Sequence, residues 1–204
     1  MLYYETIDTK TLGLIKKLQN IEIFSELRLV GGTSLALQLG HRKSIDIDLF
    51  GEIKITAVEL SQIINQIGEI SRLNNSNTIH IYLIDGVKVD IVNYTYKWLE
   101  EPVIENELIL AGKKDIAAMK LNAITGRGTR KDFIDLYFLL KEFSLEEILS
   151  FYEDKYQDGS KFLVLKSLFY FVDADKDDSP EMLASIHWEE VKSFIKDKVE
   201  EFIT

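Results

Sequence analysis

The chain has 204 residues, of which 46% are hydrophobic and 28% charged, and its formal net charge is −10. This is ordinary for a globular protein with one or two domains, and the acidic balance argues against broad, nonspecific binding of nucleic acid. The absence of cysteine excludes disulfides, thiolate zinc sites and a cysteine nucleophile.

The first part of the chain mixes helical and strand patterns. Apolar residues recur at helical spacing in two segments, and two short β-rich runs lie between them. Thr56 is placed to cap the second long helix. The predicted elements, in chain order, are a helix at 9–24, a strand at 27–30, a helix at 34–39, a strand at 45–49 and a helix at 57–67.

Two further β-rich runs, 78–84 and 87–92, are joined at Asp85-Gly86. Asp-Gly between alternating runs is a strong signal for a β-hairpin. The segment 102–110 is ambiguous and is compatible with one more short strand. A mixed sheet is therefore predicted for the first part of the chain.

After Gly112 the pattern becomes helical throughout, apart from an acidic loop at 173–180. Predicted helices cover 114–125, 130–143, 145–156, 160–172 and 188–202. The aromatic-rich helix at 160–172 is expected to pack in the core. The fold class is thus predicted as α+β, with an α/β domain at 1–110 and a helical domain at 111–204.

A glycine pair connects the first predicted strand to the short helix, in the run Gly31-Gly32-Thr33-Ser34. Glycines let backbone N–H groups approach an anion closely, and the N-terminus of the following helix favours negative charge. Thr33 and Ser34 add hydroxyl donors. The run is compatible with a phosphate-binding turn, and equally with a simple helix cap.

Two acids follow on the next predicted strand, Asp46 and Asp48. Residues two apart on a strand point to one face, while Ile45, Ile47 and Leu49 are expected to anchor the other face in the core. Adjacent carboxylates repel each other unless a cation neutralises them, and hard oxygen ligands suit Mg²⁺ or Mn²⁺. The alternative is a solvated acidic edge.

A third acid, Asp90, lies within the strand 87–92 and shares a face with Lys88. An acid inside an otherwise apolar strand is costly unless it is paired or binds a metal. If this strand lies beside that of Asp46 and Asp48, the three carboxylates converge on one metal site. Taken alone, Asp90 is compatible with an ordinary half-exposed strand position.

These motifs together resemble the polymerase-β-like nucleotidyltransferase superfamily. More closely, they resemble the AbiEii/AbiGii family of nucleotidyltransferase toxins of bacterial type IV toxin–antitoxin systems. The resemblance spans residues 27–140. It rests on the runs Val30-Gly31-Gly32-Thr33-Ser34-Leu35-Ala36, His41 to Phe50, Lys120 to Ile124 and Lys131-Asp132-Phe133-Ile134-Asp135-Leu136.

The resemblance implies a polymerase-β-like fold for the first domain and completion of the active site by Lys120 and Asp135. A lysine on a helix can hold a triphosphate as a point charge, although a surface lysine with a buried stem is the plain alternative. Arg42, in the loop before the acidic strand, and Lys131 are further predicted nucleotide contacts. Asp132 is also favoured by the helix dipole alone.

The predicted reaction is metal-dependent transfer of a nucleoside monophosphate from a nucleoside triphosphate to an acceptor hydroxyl. Asp46, Asp48 and Asp90 would hold Mg²⁺ or Mn²⁺, with Asp90 either binding a second ion or activating the hydroxyl. Gly31, Gly32, Thr33 and Ser34 would contact the phosphates. The resemblance implies an RNA acceptor, with the 3′ end of tRNA as the expected one, and a cognate antitoxin protein.

Two other functions remain open on sequence alone. One is a nucleotidyltransferase that modifies an aminoglycoside or lincosamide drug, since an acidic cleft suits a cationic acceptor. The other is an inactive nucleotide-binding module. The acidic net charge argues against an RNA acceptor. The segment 113–131 contains six basic residues, and this local positive charge partly offsets that argument.

Location is predicted from the absence of targeting signals. No apolar run approaches the roughly 18 residues of a membrane span. The N-terminal residues lack the basic head and apolar stretch of a signal peptide. A cytoplasmic protein without membrane contact is expected.

Overall fold

The computed structural model describes residues 1–76 and 78–204. They form two compact units. The first unit consists of 1–38, 44–95 and 102–111, and the second of 39–43, 96–101 and 112–204. The second unit thus includes two short stretches, 39–43 and 96–101, that precede residue 111. The predicted domain division had a single boundary after residue 110.

A mixed sheet of seven strands is the frame of the first unit in its described part. Its strands are β1 (Arg28–Leu29), β2 (Ile47–Gly51), β3 (Ile70–Asn75), β4 (Ile79–Ile84), β5 (Val87–Asn93), β6 (Val103–Glu105) and β7 (Leu108–Leu110). Their order in the sheet is β3-β4-β5-β2-β1-β7-β6. The pairs β2–β5 and β1–β7 are parallel and the others antiparallel. The predicted mixed sheet is confirmed.

Three helices accompany this sheet: α1 (Thr9–Gln19), α2 (Gly31–Leu39) and α3 (Ala57–Ile64). The predicted cap of α3 is confirmed, because Thr56 and Glu59 form a reciprocal capping box. α2 begins at Gly31, three residues before its predicted start, so the glycine pair forms the first turn of the helix.

The core of the first unit packs apolar side chains of α1 and α3 against β2, β4 and β5. Ile47 and Leu49 are fully buried, as expected for inward positions of β2. The prediction for Ile45 is wrong, since this residue precedes the strand and is 67% exposed. β3 was also not predicted, although it forms the sheet edge beside β4.

The second unit is helical, as predicted. It contains α4 (Lys113–Gly126), α5 (Arg130–Leu139), α6 (Leu145–Lys155), α7 (Lys161–Ser167) and α8 (Trp188–Ile203). α4 packs against α5, α6 and α7, and α8 packs against α5 and α6. The aromatic-rich segment around α7 is only partly core, since Phe171 is buried whereas Phe162 is 77% exposed. No helix of the described chain combines the length and apolarity of a membrane span.

Candidate active site

Two acids from neighbouring strands are brought side by side by the register of the sheet. β2 and β5 run parallel, and Asp48 pairs with Asp90 across them. Because neighbouring strands lie about 4.8 Å apart, paired side chains on one face are within contact range. Asp46 stands one residue before β2 and is half-buried, like the other two acids. The predicted adjacency of the two acidic strands is confirmed.

Gly31 brings the start of α2 against one of these carboxylates. Its φ is +67°, in the left-handed region that glycine adopts readily. A Cβ atom on Gly31 would lie 2.2 Å from Oδ2 of Asp48. Only glycine therefore allows this approach, which places the carboxylate at the N-terminal, electropositive end of the helix.

The two hydroxyl residues that follow do not face outward. Thr33 is fully buried, and its Oγ1 donates a hydrogen bond to the backbone oxygen of Asp46 and lies 2.8 Å from Oγ of Ser44. Ser34 is also buried, and its Oγ accepts a hydrogen bond from Gln38 at 3.2 Å. These side chains position the turn and the start of the acidic strand. Their predicted contact with phosphate stays a prediction.

Lys88 places an ammonium group among the three acids. Its Nζ donates to Oδ2 of Asp90 at 2.7 Å. Burial alone would lower the pKa of Lys88, but the hydrogen bond to Asp90 and the negative charges of all three acids outweigh it and raise the pKa. The sequence placed Lys88 on the face of Asp90, but did not indicate the hydrogen bond between the two side chains.

The acids fit a hard divalent cation by the chemistry of their oxygens. Oδ1 of Asp90 is shielded from solvent and has no hydrogen-bond partner among the described residues. Such an atom is costly unless it gains a partner. Within residues 1–76 and 78–204, no three Asp, Glu or His side chains lie close enough together to hold a metal ion. Asp90 is bonded to Lys88 instead.

The second unit holds a buried ion network centred on Asp135 of α5. Arg42 binds this carboxylate through both oxygens, with Nε at 2.7 Å and Nη2 at 2.8 Å. Lys120 of α4 approaches it at 2.6 Å, and Nε2 of His41 lies 2.8 Å from it. Burial would raise the pKa of Asp135, but the charges of Lys120 and Arg42 hold it well below its ordinary value.

Asp132 extends this network by one helical turn. It binds Lys120 at 2.9 Å and accepts a hydrogen bond from Thr129 at 2.6 Å. Burial opposes ionisation, but the charges of Lys120 and Arg127 prevail and lower the pKa of Asp132 to about 2. The same carboxylates raise the pKa of Lys120 against the effect of burial. Asp132, Asp135 and Lys120 are therefore all ionised at neutral pH.

His41 is the neutral member of the network. Burial lowers its pKa below the ordinary value, against the opposing effect of Asp135. Since a carboxylate only accepts, the neutral ring donates its Nε2 proton to Asp135. Nδ1 is left as a buried acceptor with no hydrogen-bond partner in the described chain.

The structure thus separates the predicted site residues into two groups. Asp46, Asp48, Asp90 and the turn from Gly31 lie in the first unit, and Arg42, Lys120, Lys131 and Asp135 lie in the second. Lys120 is buried between two carboxylates, whereas Lys131 is exposed. Arg42 and Asp135 are 93 positions apart, so no local sequence pattern predicts that they pair.

The basic segment 113–131 carries less uncompensated charge than its composition indicates. Lys113 pairs with Glu142, Lys120 with Asp132 and Asp135, and Arg127 with Asp132. These ion pairs engage at least three of its six cationic groups.

Comparison with known proteins agrees with this architecture. The chain is 36% identical over 195 residues to the uncharacterized protein aq_aa25 of Aquifex aeolicus (strain VF5), covering 93% of this chain and 94% of that protein. Its fold is similar to that of JHP933 from Helicobacter pylori, with a TM-score of 0.60, 20% identity and coverage of 96% and 92% of the two chains.

A second solved structure from H. pylori, whose protein has been assigned as a nucleotidyltransferase, has the same TM-score of 0.60 at 18% identity, with 95% of each chain covered. Residues 14–201 match the sequence profile of the family described as nucleotidyl transferase AbiEii toxin, type IV TA system. The match includes both acidic strands, the turn at Gly31 and the ion network of the second unit. The chain belongs to the AbiEii family of nucleotidyltransferases.

Proposed function

We propose that this nucleotidyltransferase transfers a nucleoside monophosphate from a nucleoside triphosphate to an RNA hydroxyl, with the 3′ end of tRNA as the favoured acceptor. The observation that carries the proposal is the pairing of Asp48 with Asp90 beside Gly31. Two carboxylates next to the N-terminus of a helix combine a cation site with an anion site. A nucleoside triphosphate with its metal ion needs both.

In the proposed reaction, the oxygen of the acceptor hydroxyl bonds to the α-phosphorus while the bond to the β-phosphate bridge breaks, so that pyrophosphate leaves. The first N–H groups of a helix have no partner within the helix, so those of Gly31 and Gly32 at the start of α2 would donate to phosphate oxygens. Asp46 and Asp48 would hold Mg²⁺ or Mn²⁺. When bound, such an ion neutralises negative charge on the reacting phosphates.

Asp90 has two candidate roles in this reaction. Its shielded Oδ1 would either help to hold a second ion or accept the proton of the incoming hydroxyl. Both roles require the carboxylate to be ionised and directed toward the face that it shares with Asp48. The register of β2 and β5 supports this orientation.

The residues of the second unit are proposed to act indirectly. Lys120 and Arg42 are bound by buried carboxylates, so their charge is already used within the fold. We propose that they and Asp135 hold α4, α5 and the segment 39–43 in place. Lys131 stays a predicted phosphate contact.

The biological setting is proposed from the family. The chain would act as the toxin of a toxin–antitoxin pair in the cytoplasm, and an antitoxin protein would be its cognate partner. The description of the family as a type IV toxin supports this role.

Incubation of the full chain with each labelled triphosphate, Mg²⁺ and total tRNA tests the reaction. We expect label in RNA and release of pyrophosphate, and a loss of at least about 100-fold in Asp48→Asn, which removes a charge from the reacting centre. Glu52→Gln, which changes an exposed acid paired with Lys54, is the matched control and should retain activity.

A panel of aminoglycosides and lincosamides serves as the second set of acceptors. Transfer to a drug but not to RNA would overturn the RNA assignment in favour of a small-molecule enzyme. Failure to transfer to any acceptor, without binding of MgATP or MgCTP by calorimetry, would indicate an inactive member of the family.

A further inference from the structure

Four charged residues lie at the β2–β5 pair. Ile47 pairs with Val89 and Asp48 with Asp90. Lys88 and Asp90 are two residues apart on β5, so their side chains share a face. Asp46 stands one residue before β2, and the charges of all three acids act on Lys88. These four residues are defined here as the β2–β5 charge cluster.

Lys88 is bound to one acid of this cluster. Its Nζ lies 2.7 Å from Oδ2 of Asp90, and the two side chains are 40% and 18% exposed. This is the length of a charge-assisted hydrogen bond.

A bound ammonium group and a divalent cation compete for the same carboxylate. Lys88 satisfies one oxygen of Asp90 and repels any second cation at that carboxylate.

We propose that Lys88 is the resident cation of the β2–β5 charge cluster, so that the nucleotide-free protein binds one divalent ion at Asp46 and Asp48 while Asp90 stays bonded to Lys88. This rests on the proposed function, because it assumes that the cluster is the metal site. It assigns Lys88 as a positioning residue for Asp90, and favours the role of Asp90 toward the hydroxyl over that of an ion ligand.

Titration of the metal-free full chain with Mn²⁺, followed by electron paramagnetic resonance, tests the proposal without a measurement of activity. The wild-type protein should bind one Mn²⁺ at the cluster. Lys88→Met keeps the apolar stem of the side chain and removes the charge. It should bind a second Mn²⁺, or the first at least tenfold more tightly.

Two further variants make the outcome specific. Lys16→Met removes a lysine from an exposed ion pair with Glu107 in the same unit and should behave as wild type. Asp48→Asn should abolish the binding of Mn²⁺ to the cluster. A thermal melt of Lys88→Met in EDTA should show a lower midpoint than wild type, and added Mn²⁺ should restore it.

Two results would overturn the inference. Binding of two Mn²⁺ ions by the wild-type cluster, or equal stoichiometry and affinity in Lys88→Met, removes Lys88 as the resident cation but leaves the metal site intact. Binding that does not respond to Asp48→Asn, or no binding at all, removes the metal site itself and with it the proposed function.

Discussion

At the scale of single residues, Gly31 determines how closely the start of α2 approaches the carboxylate of Asp48. The glycine is required by the carboxylate beside it, since a Cβ would lie 2.2 Å from Oδ2 of Asp48, and also by its own φ of +67°. A helix start with a side chain at this position would force the acid away. The motif therefore sets the distance between the N-terminus of α2 and the acidic strand.

Gly31→Ala should lower the free energy of unfolding by about 2 kcal/mol or more, because it combines left-handed strain with a steric clash. Transfer activity should fall together with stability. Chemical denaturation of Gly31→Ala, Asp48→Ala and the double variant measures the coupling. We expect the double variant to be more stable than the sum of the single changes predicts, since the clash is then removed.

Gly13 provides the matched control for this prediction. It lies inside α1 and would place a Cβ with nothing within 4 Å. Gly13→Ala should stabilise the protein by about 0.5–1 kcal/mol through helix propensity alone. A loss of stability in Gly13→Ala equal to that in Gly31→Ala would show that the effect is not specific to the site.

Residue-level prediction from the sequence succeeded where local periodicity decides the outcome. Alternation placed Asp48 and Asp90 on strand faces, and the β2–β5 register agrees with it. Asp46 was expected on the same strand but precedes it by one residue. The prediction failed for Ile45, because alternation does not show where a strand begins. The bond between Lys88 and Asp90 requires the side-chain conformation, which a pattern does not contain.

At the scale of elements, α4 and α5 are joined by buried charge as well as by apolar packing. Asp135 and Asp132 of α5 both bind Lys120 of α4. The sequence located both helices and the acids on one face of α5. It did not identify the partners, because Arg42 and Asp135 are 93 positions apart.

Asp135→Asn should lower the free energy of unfolding by about 3–5 kcal/mol, since it leaves the buried cations Lys120 and Arg42 without a compensating charge. Denaturation by urea measures this loss. The exposed acid Asp154 gives the control, and Asp154→Asn should remain within about 0.5 kcal/mol of wild type. An Asp135→Asn protein as stable as wild type would contradict the account of the network.

The same network predicts sensitivity to acid. The pKa of Asp132 in the folded protein is about 2, against an ordinary value of 3.8 for an aspartate side chain. A carboxyl whose pKa is depressed stabilises the fold above its unfolded pKa, and this stabilisation is lost as the pH falls from about 4 toward 2. It amounts to about 2 kcal/mol.

Measurement of the free energy of unfolding between pH 5 and pH 2 tests this, with Asp132→Asn as the comparison. The wild-type curve should fall by about 2 kcal/mol more than that of the variant over this interval. Parallel curves would show that Asp132 is not held ionised by Lys120 and Arg127.

β3 shows the limit of prediction for an element. The sequence Ile70-Ser71-Arg72-Leu73-Asn74-Asn75 lacks strict alternation, and the pairing with β4 shifts its register between Arg72 and Asn74. An edge strand buries less than a central one, so its apolar pattern is weaker. The hairpin of β4 and β5 was predicted because Asp85-Gly86 supplies turn chemistry.

At the scale of the whole molecule, the net charge limits how an RNA acceptor could bind. The net charge is −10, and at least half of the cations of the segment 113–131 are paired with acids. Binding of RNA through many phosphates is therefore unfavourable. An RNA acceptor would be held by its terminal nucleotides at the reacting centre.

The dissociation constant for tRNA should consequently rise by less than about tenfold between 50 and 200 mM salt, which corresponds to two or fewer phosphate contacts. Filter binding measures this dependence. Glu142→Gln, which removes the partner of Lys113, should bind more tightly and with a steeper slope. A wild-type slope typical of six or more contacts would contradict this view of the surface.

The most direct measurement is a crystal structure of the full chain with Mn²⁺ and a non-hydrolysable nucleoside triphosphate, with the anomalous signal locating the ion. The account predicts Mn²⁺ within about 2.5 Å of carboxylate oxygens of Asp46 and Asp48, and the triphosphate on the N–H groups that begin at Gly31. A nucleotide or ion held away from Asp46, Asp48 and Gly31 would contradict it.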